Sequence, residues 1–155
     1  MLICKYMKMT LETLPSIVQE IIQKVYSSNS GNATVITLEG DLGTGKTTLT
    51  QELARSLGVK ENLISPTFVI MKKYDLPAQA GVTDNLFKYL IHIDAYRLTK
   101  SEELWKLGFK EILEDKNNLI IIEWPENVPD CVPKNALRIK LSHLDDNTRT
   151  IEISG

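Results

Sequence analysis

Apolar positions along the 155-residue chain fall first at helical spacing and then at strand spacing. Leu14, Ile17, Val18, Ile21, Ile22 and Val25 recur at i, i+3, i+4, i+7, i+8 and i+11, a continuous stripe that predicts a helix buried on one face. Thr13 stands where a cap is needed, and Pro15 is tolerated in a first turn whose N–H groups lack partners. The polar run SSNSGN, residues 27–32, predicts a loop. ATVITLEG, residues 33–40, is β-branched and apolar on both faces, as expected of a central strand covered from both sides. Leu49, Leu53, Ala54 and Leu57 mark a second amphipathic helix, stopped by Gly58.

Strand-like runs dominate the second half. SPTFVIMKKYDL (65–76) and LFKYLIHIDAYRL (86–98) are joined by nine residues, PAQAGVTDN, too few for a crossover helix, so an antiparallel hairpin is expected. Thr99 and Glu102 form a T-x-x-E capping box for a helix carrying Leu104 and Leu107. Gly108 breaks that helix before a shorter one with Ile112 and Leu113. NLIIIEW (118–124) is the most apolar strand, and ALRIKLSHL and RTIEIS alternate in period two around the turn DDNT. The order predicts one α/β domain over residues 1–155, with a mostly parallel central sheet and antiparallel edge hairpins.

Composition removes several function classes. The chain is 43% hydrophobic and 25% charged, which fits an ordinary globular core. Its net charge of −2 provides no global basic field, so contact with nucleic acid would need a local patch or a partner protein. Cys4 and Cys131 make no CxxC pair and are expected to be idle thiols in a reducing cytosol. No run approaches eighteen apolar residues, and the opening MLICKYMKMT lacks the core of a signal peptide, so a cytoplasmic protein is expected.

The chemistry enters at GDLGTGKTT, residues 40–48. Gly40, Gly45, Lys46 and Thr47 satisfy G-x-x-x-x-G-K-[ST], which arises by chance in roughly one of a few hundred chains of this length. A strand precedes the motif and a helix follows it, the context that a phosphate loop needs. Glycines permit positive φ and leave no Cβ in the way of a phosphate. The helix start adds unpaired N–H groups and partial positive charge. Lys46 can reach β- and γ-phosphate oxygens, Thr47 can ligate Mg²⁺, and Thr48 is free for the α-phosphate. Asp41, Leu42, Gly43, Thr44, Gly45, Lys46, Thr47 and Thr48 are thus expected to hold ATP with Mg²⁺. GTP is disfavoured, since no N-K-x-D occurs.

Two acids close apolar strands, Glu123 in LIIIE and Asp94 in LIHID. Glu123 is assigned with Thr47 to the Mg²⁺ shell, because its strand reads as the more central. Asp94 is assigned to orienting or deprotonating the attacking water, or to sharing the metal; on the residues alone the two roles are interchangeable. Lys46, Asp94 and Glu123 form the expected catalytic set. His92 reads as a structural hydrogen bonder rather than a metal ligand, because no second histidine accompanies it. Trp124 reads equally as a contact to the nucleotide or a partner and as packing, and Arg97 as a phosphate or a surface residue. Thr67 suits a γ-phosphate-sensing loop; Ser65-Pro66 alone reads as a turn.

GDLGTGKTT, SPTF, HIDAYRL and EWPEN, in this order and spacing, resemble the TsaE family, formerly YjeE, over nearly the full chain. The resemblance implies a P-loop NTPase-like three-layer sandwich. It also implies an ATPase serving tRNA threonylcarbamoyladenosine modification with TsaD and TsaB; a chain that meets tRNA only through that complex and is monomeric when isolated is expected. Family positions fall on Gly40, Gly43, Gly45, Lys46, Thr47 and Thr48, on Thr67, on His92, Asp94, Tyr96 and Arg97, and on Glu123, Trp124 and Pro125. A P-loop kinase is the main alternative, but the four arginines, Arg55, Arg97, Arg138 and Arg149, are scattered rather than gathered in a lid. A nucleotide-gated assembly subunit with little turnover alone is another.

Overall fold

The computed structural model describes residues 5–28, 31–78 and 86–155. Cys4 and residues 79–85 of the expected hairpin connector lie outside the described residues. The strands are β1 (Lys5–Met9), β2 (Thr34–Glu39), β3 (Met71–Asp75), β4 (Tyr89–Asp94), β5 (Asn118–Glu123), β6 (Leu137–His143) and β7 (Arg149–Ser154). The helices are α1 (Leu14–Ser27), α2 (Lys46–Ser56), α3 (Ser101–Trp105) and α4 (Phe109–Glu114). The strands make one sheet in the order β1-β7-β6-β2-β5-β4-β3. Its inner four, β6, β2, β5 and β4, run parallel, and β3, β7 and β1 are added antiparallel. The expected α/β class, parallel centre and antiparallel edges are all present.

Strand periodicity divides the core into two layers. On one face Ile36, Leu38, Leu119, Ile121 and Leu90 pack beneath α1 and α2, whose buried stripes include Ile17, Val18, Ile21, Leu49 and Leu53. On the other, Val35, Ile91, Ile93, Ile120 and Ile122 pack against Leu104 of α3, Phe109 of α4 and Val128. β5 is buried at all six positions, as its unbroken apolar run requires, because both faces and both edges are covered. Burying each of its aliphatic side chains contributes about 1.5–3 kcal/mol.

Several local expectations change. SPTFVIMKKYDL is a strand only from Met71, because Pro66 opens a turn whose carbonyl accepts from Val69 and Ile70. Ile70 then sits at φ 67, where no ladder can continue. LFKYLIHIDAYRL pairs only over Tyr89–Asp94, since the chain turns at Ala95–Leu98. Thr13 precedes α1, but its hydroxyl accepts from the Thr10 N–H instead of capping the helix. The box at α3 is shifted by one residue: Glu103, not Glu102, folds back, and its Oε1 accepts from the Thr99 and Lys100 N–H groups. Leu107 is exposed, because α3 ends before it. Gly108 does separate the helices, at φ 79. β1 was not anticipated; KYMKM lacks a clean alternation, and only β7 alongside makes it a strand. Cys131 is free and buried, and burial pushes its thiol up to about 11, in keeping with the expected idle role. Among the described residues no helix is long and apolar enough to cross a membrane.

Candidate active site

Side-chain parity along the parallel strands sets up the site. His92 and Asp94 share the face of Leu90, and Glu123 shares the face of Leu119 and Ile121, so all three point toward α2. In register, Asp94 stands beside Glu123, and Glu123 beside Leu38 of β2. The two acids therefore end adjacent strands next to the loop that leaves β2.

That loop curls through glycines with positive φ: 155° at Gly40, 75° at Gly43 and 98° at Gly45. Gly45 leads into α2, where the Leu49 N–H makes a first-turn bond to the Gly45 carbonyl, and the N–H groups before it have no intrahelical acceptor. The Lys46 ammonium bridges the Gly40 and Asp41 carbonyls at 2.5 and 2.8 Å and lies 4.2 Å from the Trp124 ring centroid. Burial lowers the Lys46 pKa, while the Glu123, Glu126, Asp94 and Asp41 carboxylates act to raise it. A nearby anion would therefore meet a cation that water solvates poorly.

Gly40 is fixed by contact as well as by φ. A Cβ there would lie 2.5 Å from the Leu141 carbonyl oxygen and 2.7 Å from Thr44 Oγ1. Gly40→Ala is expected to destabilise the protein by about 2–4 kcal/mol, because a strand carbonyl cannot step aside. Urea unfolding of the two proteins at equal temperature measures the difference.

Beneath the loop, Thr47 Oγ1 lies 3.4 and 3.3 Å from Glu123 Oε1 and Oε2. Glu123 Oε1 also meets His92 Nε2 at 2.8 Å and Thr50 Oγ1 at 3.4 Å. Across the cavity, Asp94 Oδ2 accepts from Ser65 Oγ at 2.9 Å and Thr67 Oγ1 at 2.7 Å, and its Oδ1 from the Tyr96 N–H at 3.0 Å. Both acids are buried. A cavity of about 350 Å³ lies between these groups, lined by Gly43, Lys46, Thr47, Thr67, Asp94, Glu123 and Trp124 among others.

Most of the expected site residues converge here. Leu42, Gly45 and exposed Thr48 also line the cavity. Asp41 points to solvent and serves through its carbonyl, which holds Lys46 and Thr44. Buried Thr44 stiffens the loop from inside. His92 is the hydrogen bonder that its solitary sequence position suggests. Trp124 takes φ 59, and its ring meets that of Tyr96 at a tilt of 54° with centroids 5.1 Å apart. Arg97 instead lies over the exposed Phe68 ring at 4.5 Å. Ser65 and Thr50 were missed. Thr50 was findable, since it follows Lys46 by one helical turn and thus shares its face; Ser65 carried no signal beyond its proximity to Thr67.

A family model described as "Threonylcarbamoyl adenosine biosynthesis protein TsaE" matches residues 10–151. Curated proteins named tRNA threonylcarbamoyladenosine biosynthesis protein TsaE are similar over most of their length. The Rickettsia typhi protein is 34% identical over 131 residues, 84% of this chain and 83% of its own. The Bacillus subtilis protein is 34% identical over 130 residues, 84% of this chain and 75% of its own. The crystal structure of Bacillus subtilis YdiB superposes with a TM-score of 0.67 at 26% identity, covering 100% of this chain and 87% of that one.

Proposed function

The chain belongs to the TsaE family, and from that premise we propose that it binds and hydrolyses ATP as a component of tRNA threonylcarbamoyladenosine biosynthesis. The observation that carries this reading is the meeting of Thr47 with Glu123 under the phosphate loop, opposite Asp94 and Thr67 in the same cavity. The loop N–H groups and Lys46 hold the phosphates, with Asp41, Leu42, Gly43, Thr44, Gly45 and Thr48 shaping the cradle. Thr47 and Glu123 are hard oxygen donors within 3.4 Å, a set that suits Mg²⁺ completed by phosphate oxygens and water. When bound, Mg²⁺ neutralises phosphate charge. Asp94, buried and already accepting hydroxyl hydrogens, orients the attacking water, and Thr67 ties the segment that carries exposed Ile64, Phe68 and Val69 to that carboxylate.

Residues 1–155 act in this reading as one ATPase unit. It works with TsaD and TsaB, is monomeric when isolated, and meets tRNA only through the complex, which fits a chain of net charge −2. A cytoplasmic setting suits a free, buried Cys131. Phosphate release, measured with and without TsaD–TsaB, tests the proposal. Slow release that the partners accelerate is the expected result. Turnover that requires a phosphoryl acceptor and ignores the partners would instead identify a kinase; that no arginine is among the described residues lining the phosphate cavity speaks against that outcome.

A further inference from the structure

The histidine of HIDAYRL is fully buried on a face whose neighbours are Leu90, Ile121 and other aliphatic residues. Its Nε2 meets Glu123 Oε1 at 2.8 Å, while its Nδ1 is buried with no hydrogen-bond partner among the described residues. An orphaned polar atom in an apolar layer costs stability, whichever tautomer is present. A leucine would fill the same layer without that cost. Residue choice here is therefore explained by the Nε2 bond and not by packing.

We propose that His92 is a positioning residue that presents Glu123 to the metal. The inference rests on the reading of Glu123 as a Mg²⁺ ligand. The carboxylate oxygens are unequal. Oε1 is engaged by His92 at 2.8 Å, with the Thr50 and Thr47 hydroxyls at 3.4 Å, whereas among the described residues Oε2 has a contact only with Thr47, at 3.3 Å. Fixing Oε1 from β4 restrains the rotation of the carboxylate group and leaves Oε2 the less engaged oxygen, with the Thr47 hydroxyl almost equidistant from both. Metal ligands held in this way lose roughly 10–100-fold in metal affinity when the outer partner is removed.

The test is a Mg²⁺ titration of a fluorescent ADP analogue bound to the full chain, with its affinity in EDTA and the thermal midpoint as controls. His92→Leu is expected to raise the half-saturating Mg²⁺ concentration by roughly 10–100-fold while leaving affinity in EDTA unchanged. Its thermal midpoint should change little, since the orphaned nitrogen is gone while the buried Glu123 carboxylate loses its shortest hydrogen bond. His92→Gln, whose amide can still donate to Oε1, should restore the wild-type Mg²⁺ requirement. An unchanged requirement in His92→Leu, beside a raised one in Glu123→Gln, overturns the positioning role and spares the metal reading. Glu123→Gln with an unchanged requirement overturns both. Equal loss of EDTA affinity and thermal midpoint in both His92 variants makes the residue structural. Should His92→Leu not fold, Gln against the shorter Asn decides: the same Mg²⁺ requirement in both overturns the inference.

Discussion

Lys46→Ala is expected to abolish measurable ATP binding, weakening it by roughly 10²–10⁴-fold. Two charge-assisted hydrogen bonds to phosphate are lost, at about 1.5–3 kcal/mol each. The position of the ammonium makes the loss large. It is held between the Gly40 and Asp41 carbonyls and beside the Trp124 ring, and among the described residues no arginine lines the cavity to replace it. The fold should survive. Burial already lowers the Lys46 pKa, so removing the side chain also removes a poorly solvated charge. Lys46→Met, which keeps the length without the charge, should likewise lose binding with a thermal midpoint near wild type. Calorimetric titration with ATP, alongside thermal unfolding of the free proteins, measures both quantities. Retained binding in Lys46→Met would mean that the loop holds phosphate by its backbone alone.

Asp94→Asn is expected to do the reverse: ATP affinity stays within about threefold, and hydrolysis falls by roughly 10²–10⁴-fold, the scale of a lost general base. The substitution is gentle on the fold. Oδ1 must remain an oxygen to accept the Tyr96 N–H, which puts the new amide nitrogen where Oδ2 was, against the Ser65 and Thr67 hydroxyls. Hydroxyls can turn to accept, so the loop stays attached while the site loses its carboxylate charge. Nucleotide titration and single-turnover phosphate release separate the two effects. Normal turnover in Asp94→Asn would remove this residue from the mechanism and leave water orientation to another group.

The features legible in the sequence were those encoded over a short span. The stripe from Leu14 to Val25, the apolar run ending at Glu123 and the glycine spacing around Lys46 each carry their own geometry, and each folds as read. The shifted cap at Glu103 shows the limit of such reading, since Glu102 and Glu103 are equal candidates until the exact helix start is known. β1 was illegible because an edge strand of mixed character is defined by its partner, and that partner lies at the other end of the chain. The same holds within the site. Thr50 is legible as a neighbour of Lys46 on one helix face, but nothing near it or Ser65 announces their carboxylate partners, Glu123 and Asp94, because those contacts arise from register between strands and from the helix packed over them.

The position of β2 has a consequence for how the molecule comes into being. It leads directly into the phosphate loop, yet its two neighbours, β5 and β6, begin only at Asn118 and Leu137. During synthesis the nucleotide cradle therefore emerges long before the strands that will support it. Until they arrive, Val35, Ile36 and Leu38 have no sheet to join, and closing such distant parallel pairs is slow. The nascent chain thus passes through an interval with an exposed apolar strand, when capture by a chaperone or by another chain competes with completion of the sheet.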